Sequence, residues 1–419
     1  MQKSKFQTLL GVLILAQAIL IPIIVGVDVP YRDEWDSIIR ALILRSENGF
    51  SITQLFLPVV EHRLPLPMTF FQVFSQPRYY PKFFMLLSAL SHVVGWYYFS
   101  RTWLKNAQEG AGVHRAKWLT VMTALFFFHW AQLMNYTMGV QLFWMLGPVG
   151  TMVFICGLIE KRLALAVIGH VISILSFPSW PIHLGILAAF FCWSWRDTRL
   201  FPRSYFHIGL TLVMMLTGAL TFGFLYQHPG ANSEIDWARI PKFLLFVIAS
   251  PLSRNKQDLA LFFGPLFIVL WAYTVVKGAK FVRPEAHFLF GALTLLSAFL
   301  ISYGRHHYDF DYAFGGHYLL LTVPGWALVL FESVSHIVSQ KRFQAMTSIL
   351  IIYIAILCGR SMWKELHNRR PNLLTARECI VEKRETSEAC LPFMQDIFLN
   401  GFDEKFDLAR RGREFGIFP

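Results

Sequence analysis

Charge is scarce in this chain: only 15% of its 419 residues are Asp, Glu, Lys or Arg. Soluble globular proteins carry about a quarter, so the solvent-loving side chains needed to coat a water-exposed surface are missing. Several signatures are missing too. The sequence holds no Walker loop, no G-x-G-x-x-G and no G-x-S-x-G, which argues against nucleotide-driven transport and against an ordinary serine hydrolase. It has no zinc-type spacing, no internal repeat and no low-complexity tract. Cysteines number five. Cys156, Cys192 and Cys358 lie in apolar blocks and read as buried thiols. Cys379 and Cys390, with ten residues between them in a polar tail, pair if that tail faces an oxidising compartment and otherwise stay free.

What is abundant is apolar sequence in long blocks; 55% of the chain is hydrophobic and its mean hydropathy is +0.46. A helix needs roughly 20 apolar residues to cross the hydrocarbon core of a bilayer. Candidate spans are Gln7–Gly26, Pro81–Ser100, Lys117–Asn135, Val140–Ile159, Leu163–Trp180, Ile182–Trp195, Phe206–Tyr226, Asp258–Val276, Ala286–Tyr303, Tyr318–Ile337 and Gln344–Met362. The expected fold is an all-α polytopic membrane protein with about 11 transmembrane helices, a long first outer loop with amphipathic helices and a small outer C-terminal region. Gln7–Gly26 is long for a signal-peptide core and no A-x-A site follows before Asp28, so it reads as a retained first span. Pro241–Ser253, short and interrupted by Pro251, reads as an interfacial or re-entrant piece.

The net charge of +12 is distributed as a membrane topology requires, and a nucleic-acid partner is not expected. With the N-terminus in the cytoplasm, the cytoplasmic segments hold sixteen Lys and Arg against four acids, Glu109, Glu160, Asp197 and Glu285. That bias is the positive-inside rule. It leaves residues 27–80, 227–257 and 304–317 as outer loops of a membrane domain spanning 1–362. The tail, 363–419, has ten basic and ten acidic residues and is expected to pack on the outer loops as a small periplasmic cap.

Three clusters carry chemistry. The first, Asp28-Val-Pro-Tyr-Arg-Asp33-Glu34-Trp-Asp36, puts the carboxylates of Asp33, Glu34 and Asp36 at the mouth of the first span, where charge is costly unless solvated, paired or used. A helix over Ser37–Arg45 is expected to lie along the membrane surface, and Asp33 and Asp36 suit its N-terminus as caps if they have no other role. The second cluster is Glu61-His62-Arg63. In an irregular backbone its side chains converge on an anionic ligand, with Arg63 as bidentate donor, or else Arg63 pairs with Asp33 or Asp36. The third runs from Gly304 through Arg305-His306-His307 and Asp309 to His317-Tyr318. Its spacing fits no metal signature; Arg305 with Tyr and His groups suits a phosphate or sugar, and a solvated aromatic loop is the plainer alternative. Asn135-Tyr136, Gln141–Trp144 and Ser176–Pro181 either line a sugar groove or anchor the spans at the interface.

This layout resembles the GT-C superfamily of polytopic glycosyltransferases, which use polyprenyl-phosphate-linked sugars. The resemblance covers essentially the whole chain. It rests on the Asp33-Glu34 pair directly after the first span, the Glu61-His62-Arg63 run, the late loop with Arg305 and His317-Tyr318, and the C-terminal region. It implies a glycosyltransferase of the bacterial inner membrane that moves a sugar from a polyprenyl-phosphate donor to a glycan or lipid acceptor; no cofactor is expected, and a divalent metal is left open without support from residue spacing. Asp33 matches the family's acidic residue and would be the general base, with Glu34 or Asp36 supporting or replacing it. Arg63 and Arg305 would neutralise the leaving phosphate. The second acidic residue that many members carry in a later outer loop has only loose counterparts here, Glu234 and Asp236. From other classes, a flippase or carrier for a lipid-linked glycan would place ionisable residues inside its spans, where His170, Glu332 and Arg360 are the main instances. A polysaccharide polymerase would use the arginine-rich loops without needing Asp33, and an acyltransferase is a further alternative.

Overall fold

The computed structural model describes residues 2–59, 62–76, 78–110, 112–128, 133–196, 204–224, 235–253, 256–279, 281–337, 340–382, 386–398 and 402–417. In lipid a backbone must satisfy its own polar groups, which favours helices, and the regular structure of the described residues is helical apart from one antiparallel pair, Pro58–Val59 with His62–Arg63. Every apolar block of the sequence contains a helix. In chain order these are α1 (Gln2–Ile24), α4 (Pro81–Gly110), α5 (Gly112–Phe127), α7 (Leu142–Ile159), α8 (Leu163–Ile174), α9 (Trp180–Arg196), α10 (Ser204–Phe224), α12 (Gln257–Lys277), α13 (Pro284–Arg305), α14 (Leu319–Ile337) and α15 (Gln340–Lys364). Among the described residues, five stretches are long and apolar enough to cross a membrane: Pro81–Trp103, Gly139–Ile159, Gln257–Lys277, Pro284–Arg305 and Leu319–His336. The apolar stretches of α1, α8, α9 and α10 are shorter.

Three blocks differ from their sequence expectation. Leu163–Trp180 gives only the twelve-residue α8, because Pro178 cannot continue a helix and the residues before it turn away. In Lys117–Asn135, α5 ends at Phe127 and the short α6 (Leu133–Thr137) begins after residues 129–132, which lie outside the described residues. Pro241–Ser253 is α11 (Arg239–Ser253), and every residue from Phe246 to Ser253 is buried. That helix packs on α12, α13 and α14, with its second half in the core and Pro241 and Lys242 exposed.

The principal core joins α4, α5, α7, α9, α11, α13 and α14 around Phe99, Phe127, Phe154, Phe246, Phe290 and Trp326. Trp326 donates its indole N–H to the Ile248 carbonyl at 2.6 Å. Helices α7 and α8 touch backbone to backbone: a Cβ on Gly169 would stand 2.3 Å from the Phe154 nitrogen, the small-residue packing that membrane helices favour. Polar side chains tie the same region. His170 and His183 share a 2.7 Å hydrogen bond, His170 reaches Thr217 at 2.7 Å, and His183 reaches Thr151 at 2.9 Å.

A second core lies apart from the first in composition. It joins the segment after α1, including α2 (Arg40–Asn48) and α3 (Pro65–Phe74), to α16 (Arg370–Val381), α17 (Leu391–Phe398) and α18 (Phe402–Glu414). Trp35 meets Phe398 edge to face at 5.0 Å. The Arg32 and Tyr79 N–H groups donate to the Ile397 and Ile417 carbonyls at 2.7 and 2.6 Å, and Arg40 and Arg411 pair with Glu404 and Glu47. Cys379 and Cys390 are joined as a disulfide. The expectation for Ser37–Arg45 needs correction: Ile38, Ile39, Ala41, Leu42 and Ile43 are buried within this core, so the helix turns its apolar side to protein and not to a membrane.

Candidate active site

The chain leaves α1 and reaches the acidic cluster through Arg32, a non-glycine residue at φ 49°. Such a conformation costs of order 1–2 kcal/mol and persists only where surroundings enforce it. The Arg32 N–H bond to Ile397 is one such restraint. Trp35–Ile39 then winds as a π-helical turn, a rare form that often marks functional sites. Together these two irregularities aim three neighbouring carboxylates in three directions.

Glu34 points inward and is completely buried. Its carboxylate accepts hydrogen bonds from the Val140 N–H at 2.9 Å, the Tyr79 hydroxyl at 3.0 Å and the Tyr31 N–H at 3.2 Å. Burial pushes its carboxyl up to about 7, against the pull of those donors and of the Gly139 N–H. Gly139 and Val140 open the turn that leads into α7, so Glu34 sits on that helix's positive end. A Cβ on Gly139 would lie 2.7 Å from the Tyr79 hydroxyl and 3.3 Å from the Glu34 carboxylate; the tie needs glycine there. Asp36 points the other way, half exposed, and forms a 2.7 Å ion pair with the buried Lys405 of α18. Lys405 also donates to the Phe398 carbonyl at 2.8 Å.

Asp33 remains. It is half-buried, and among the described residues its carboxylate accepts no hydrogen bond and forms no ion pair. Burial holds its carboxyl above the usual carboxylate range, and Asp36 adds to the rise while Lys405 and Arg32 oppose it. A carboxylate that is reachable, unpaired and more basic than usual is suited to take a proton.

Of the nearby cations, Lys405 and Arg32 act on it. The guanidinium groups of Arg32 and Arg369 lie over the Tyr31 ring, 4.9 and 4.5 Å from its centroid. Arg369 belongs to a second π-helical turn, Glu365–Arg369, and donates to Glu365 at 2.7 Å and to the Thr137 hydroxyl at 3.0 Å. Residues 135–140 connect all of this. Val140 holds Glu34, Thr137 holds Arg369, and Asn135 donates to the Gly316 carbonyl of the late loop at 2.9 Å.

The other expected residues fall as follows. Glu61 lies outside the described residues, as do the side chains of His62 and His317. Arg63 sits in the small β pair that packs beside Trp35–Ile39; Asp36 is paired with Lys405, not with Arg63. Arg305 ends α13 with its guanidinium 5.0 Å over the Tyr308 ring, and Tyr318 is buried at the start of α14. The late loop is tied at Gly316 to Asn135, five residues before the Val140 N–H that holds Glu34. Among the described residues, no three His, Cys, Asp or Glu side chains converge as a metal site. Asp236 accepts from the Ala238 and Arg239 N–H groups at 3.0 and 3.2 Å and caps α11; Glu234 lies outside the described residues.

Tyr79, Lys405, Arg369 and Glu365 were not singled out in the sequence. Only the i, i+4 spacing of Glu365 and Arg369 offered a signal. The chain matches no family model, no curated protein and no solved structure.

Proposed function

We propose that the protein is a glycosyltransferase that moves a sugar from a polyprenyl-phosphate donor to a glycan or lipid acceptor, with Asp33 as general base. The observation that carries this is the division of labour among three acids. Glu34 is consumed in holding α7, Asp36 in holding Lys405, and Asp33 is left open beside Arg32. In the reaction, Asp33 accepts the proton of the acceptor hydroxyl as that oxygen bonds to the anomeric carbon. The bond from that carbon to the phosphate oxygen breaks, and the polyprenyl phosphate leaves with the electron pair. Arg63 and Arg305 are the cations proposed to neutralise it.

The same reading takes the helices as about eleven crossings of a bacterial inner membrane, with the N-terminus cytoplasmic and the second core periplasmic. A disulfide between Cys379 and Cys390 supports an oxidising location for that unit. No nucleotide sugar is available there, so a membrane-borne donor suits the place. The carrier reading has less support: His170 and Glu332 are fully buried and hydrogen-bonded to neighbouring helices or to the Phe281 and Val282 N–H groups, and Arg360 is exposed.

The test is release of polyprenyl phosphate from a panel of short-chain polyprenyl-phosphate sugars by the purified protein and an Asp33→Asn variant of equal thermal stability. Turnover lost in the variant supports the reading. Turnover that survives moves the base elsewhere, and binding of lipid-linked glycans without turnover favours a carrier or polymerase.

A further inference from the structure

Helix α3 is apolar on both sides. Met68 and Phe71 point into the second core, yet Val73 and Phe74 on the opposite side are 57% and 49% exposed. Beside α3 packs the short 3₁₀ turn Ile52–Phe56, where Ile52 is 68% exposed and the preceding Phe50 57%. With Phe56, 38% exposed, these apolar side chains stand outward on two elements that pack together, and we treat them as one edge. We infer that this edge, Phe50–Phe56 together with the outward side of α3, seats in the adjacent bilayer leaflet, in contact with acyl chains just beneath the headgroups.

Two observations favour lipid as the occupant. The first is continuity with a span. The Phe74 ring lies 5.7 Å from Phe83 in the first turn of α4. From Phe83 the exposed side of α4 continues through Leu90, Val94 and Tyr97, whose spacing keeps them on one helix face. This helix is among those able to cross a membrane, so the apolar edge prolongs its outward stripe. The second is the rim. Tyr80 and Arg78 are exposed beside the edge, and the Arg45 guanidinium stands 5.3 Å over the Phe50 ring. Tyrosine and arginine at the border of an apolar surface are the chemistry of the headgroup level. Membrane contact thus falls to α3 and the Ile52–Phe56 turn, while Ser37–Arg45 keeps its apolar side within the protein.

Spin-label accessibility tests this on the full chain in phosphatidylethanolamine and phosphatidylglycerol proteoliposomes. Nitroxides are placed singly at Ile52→Cys, Val73→Cys and, as the aqueous reference, Asp403→Cys on exposed α18 surface. The background carries Cys192→Ser and Cys358→Ser; Cys156 is buried. At positions 52 and 73, collisions with oxygen are expected to exceed those with a water-soluble nickel chelate, with the reverse order at 403. The aqueous order at 52 and 73 overturns the inference. Hydroxyl-radical oxidation of the unlabelled protein gives an independent reading. Phe50 and Phe74 should be protected in proteoliposomes relative to the exposed Phe415, and equal oxidation of all three also overturns the inference. Neither readout depends on turnover, so the result stands apart from the proposed transfer reaction.

Discussion

Glu34→Gln, followed as a function of pH, isolates the buried tie between the acidic cluster and α7. In the folded protein the Glu34 carboxyl sits at about 7 against an ordinary value of 4.5. A raised folded value means that the folded state holds the proton more tightly than the unfolded chain. The associated stability is fully present below pH 4.5, declines as pH rises, and is gone above about 7. Each unit in that window is worth about 1.4 kcal/mol, so the wild type should lose about 3 kcal/mol of stability between pH 4.5 and 7.5 on account of this group. Glutamine cannot ionise and contributes no such slope. It keeps one acceptor oxygen and turns an amide N–H₂ toward donors; the Tyr79 hydroxyl can rotate to accept, whereas a backbone N–H cannot. One orphaned donor costs about 1–3 kcal/mol, so the variant should be the less stable protein at pH 5. By pH 8 the gap should close or change sign. Unfolding midpoints of both proteins in detergent, from pH 4.5 to 8 at constant ionic strength, measure this directly. Parallel curves across the window would refute the assignment of Glu34 as a buried, protonatable tie.

On the proposed role, Asp33→Asn should reduce transfer by about 10²–10⁴-fold, the usual worth of a general base, without loss in the unfolding midpoint, because among the described residues the carboxylate accepts no hydrogen bond and forms no ion pair. In the wild type, the acid limb of the rate profile should fall above the ordinary carboxylate range, since the raised carboxyl must ionise before it can accept a proton. Lys405→Met removes a cation that pulls the Asp33 carboxyl down, so that limb should move to higher pH; an unmoved profile would show that α18 has no electrostatic hold on the base. The same variant leaves the Phe398 carbonyl without its donor and should cost about 1–3 kcal/mol in thermal unfolding. Reducing Cys379–Cys390, which closes an eleven-residue separation, should cost about 3 kcal/mol on the chain-entropy account; alkylation of both thiols without prior reduction would contradict the disulfide.

The long apolar blocks were legible because hydropathy and length are themselves the physical requirement for a buried helix, and Val140–Ile159 or Ala286–Tyr303 need no distant partner to declare what they are. The ends were less so. Hydropathy runs through Pro178 in Leu163–Trp180 where the helix cannot, and the short Pro241–Ser253 block carries no record of the helices it packs against. At the site, the acidic cluster was visible as a group, but its members were not separable. Asp33, Glu34 and Asp36 are near-identical as sequence, and what distinguishes them is the left-handed turn at Arg32 and the π winding that follows. Those features depend on restraints supplied from far along the chain, Ile397 to Arg32 and Lys405 to Asp36. A local pattern has no access to them. The three carboxylates therefore become chemically distinct only in the folded molecule: one acid is buried against a helix end, one is neutralised by a lysine, and the third, half-buried, is made more basic by burial and by the neighbouring Asp36.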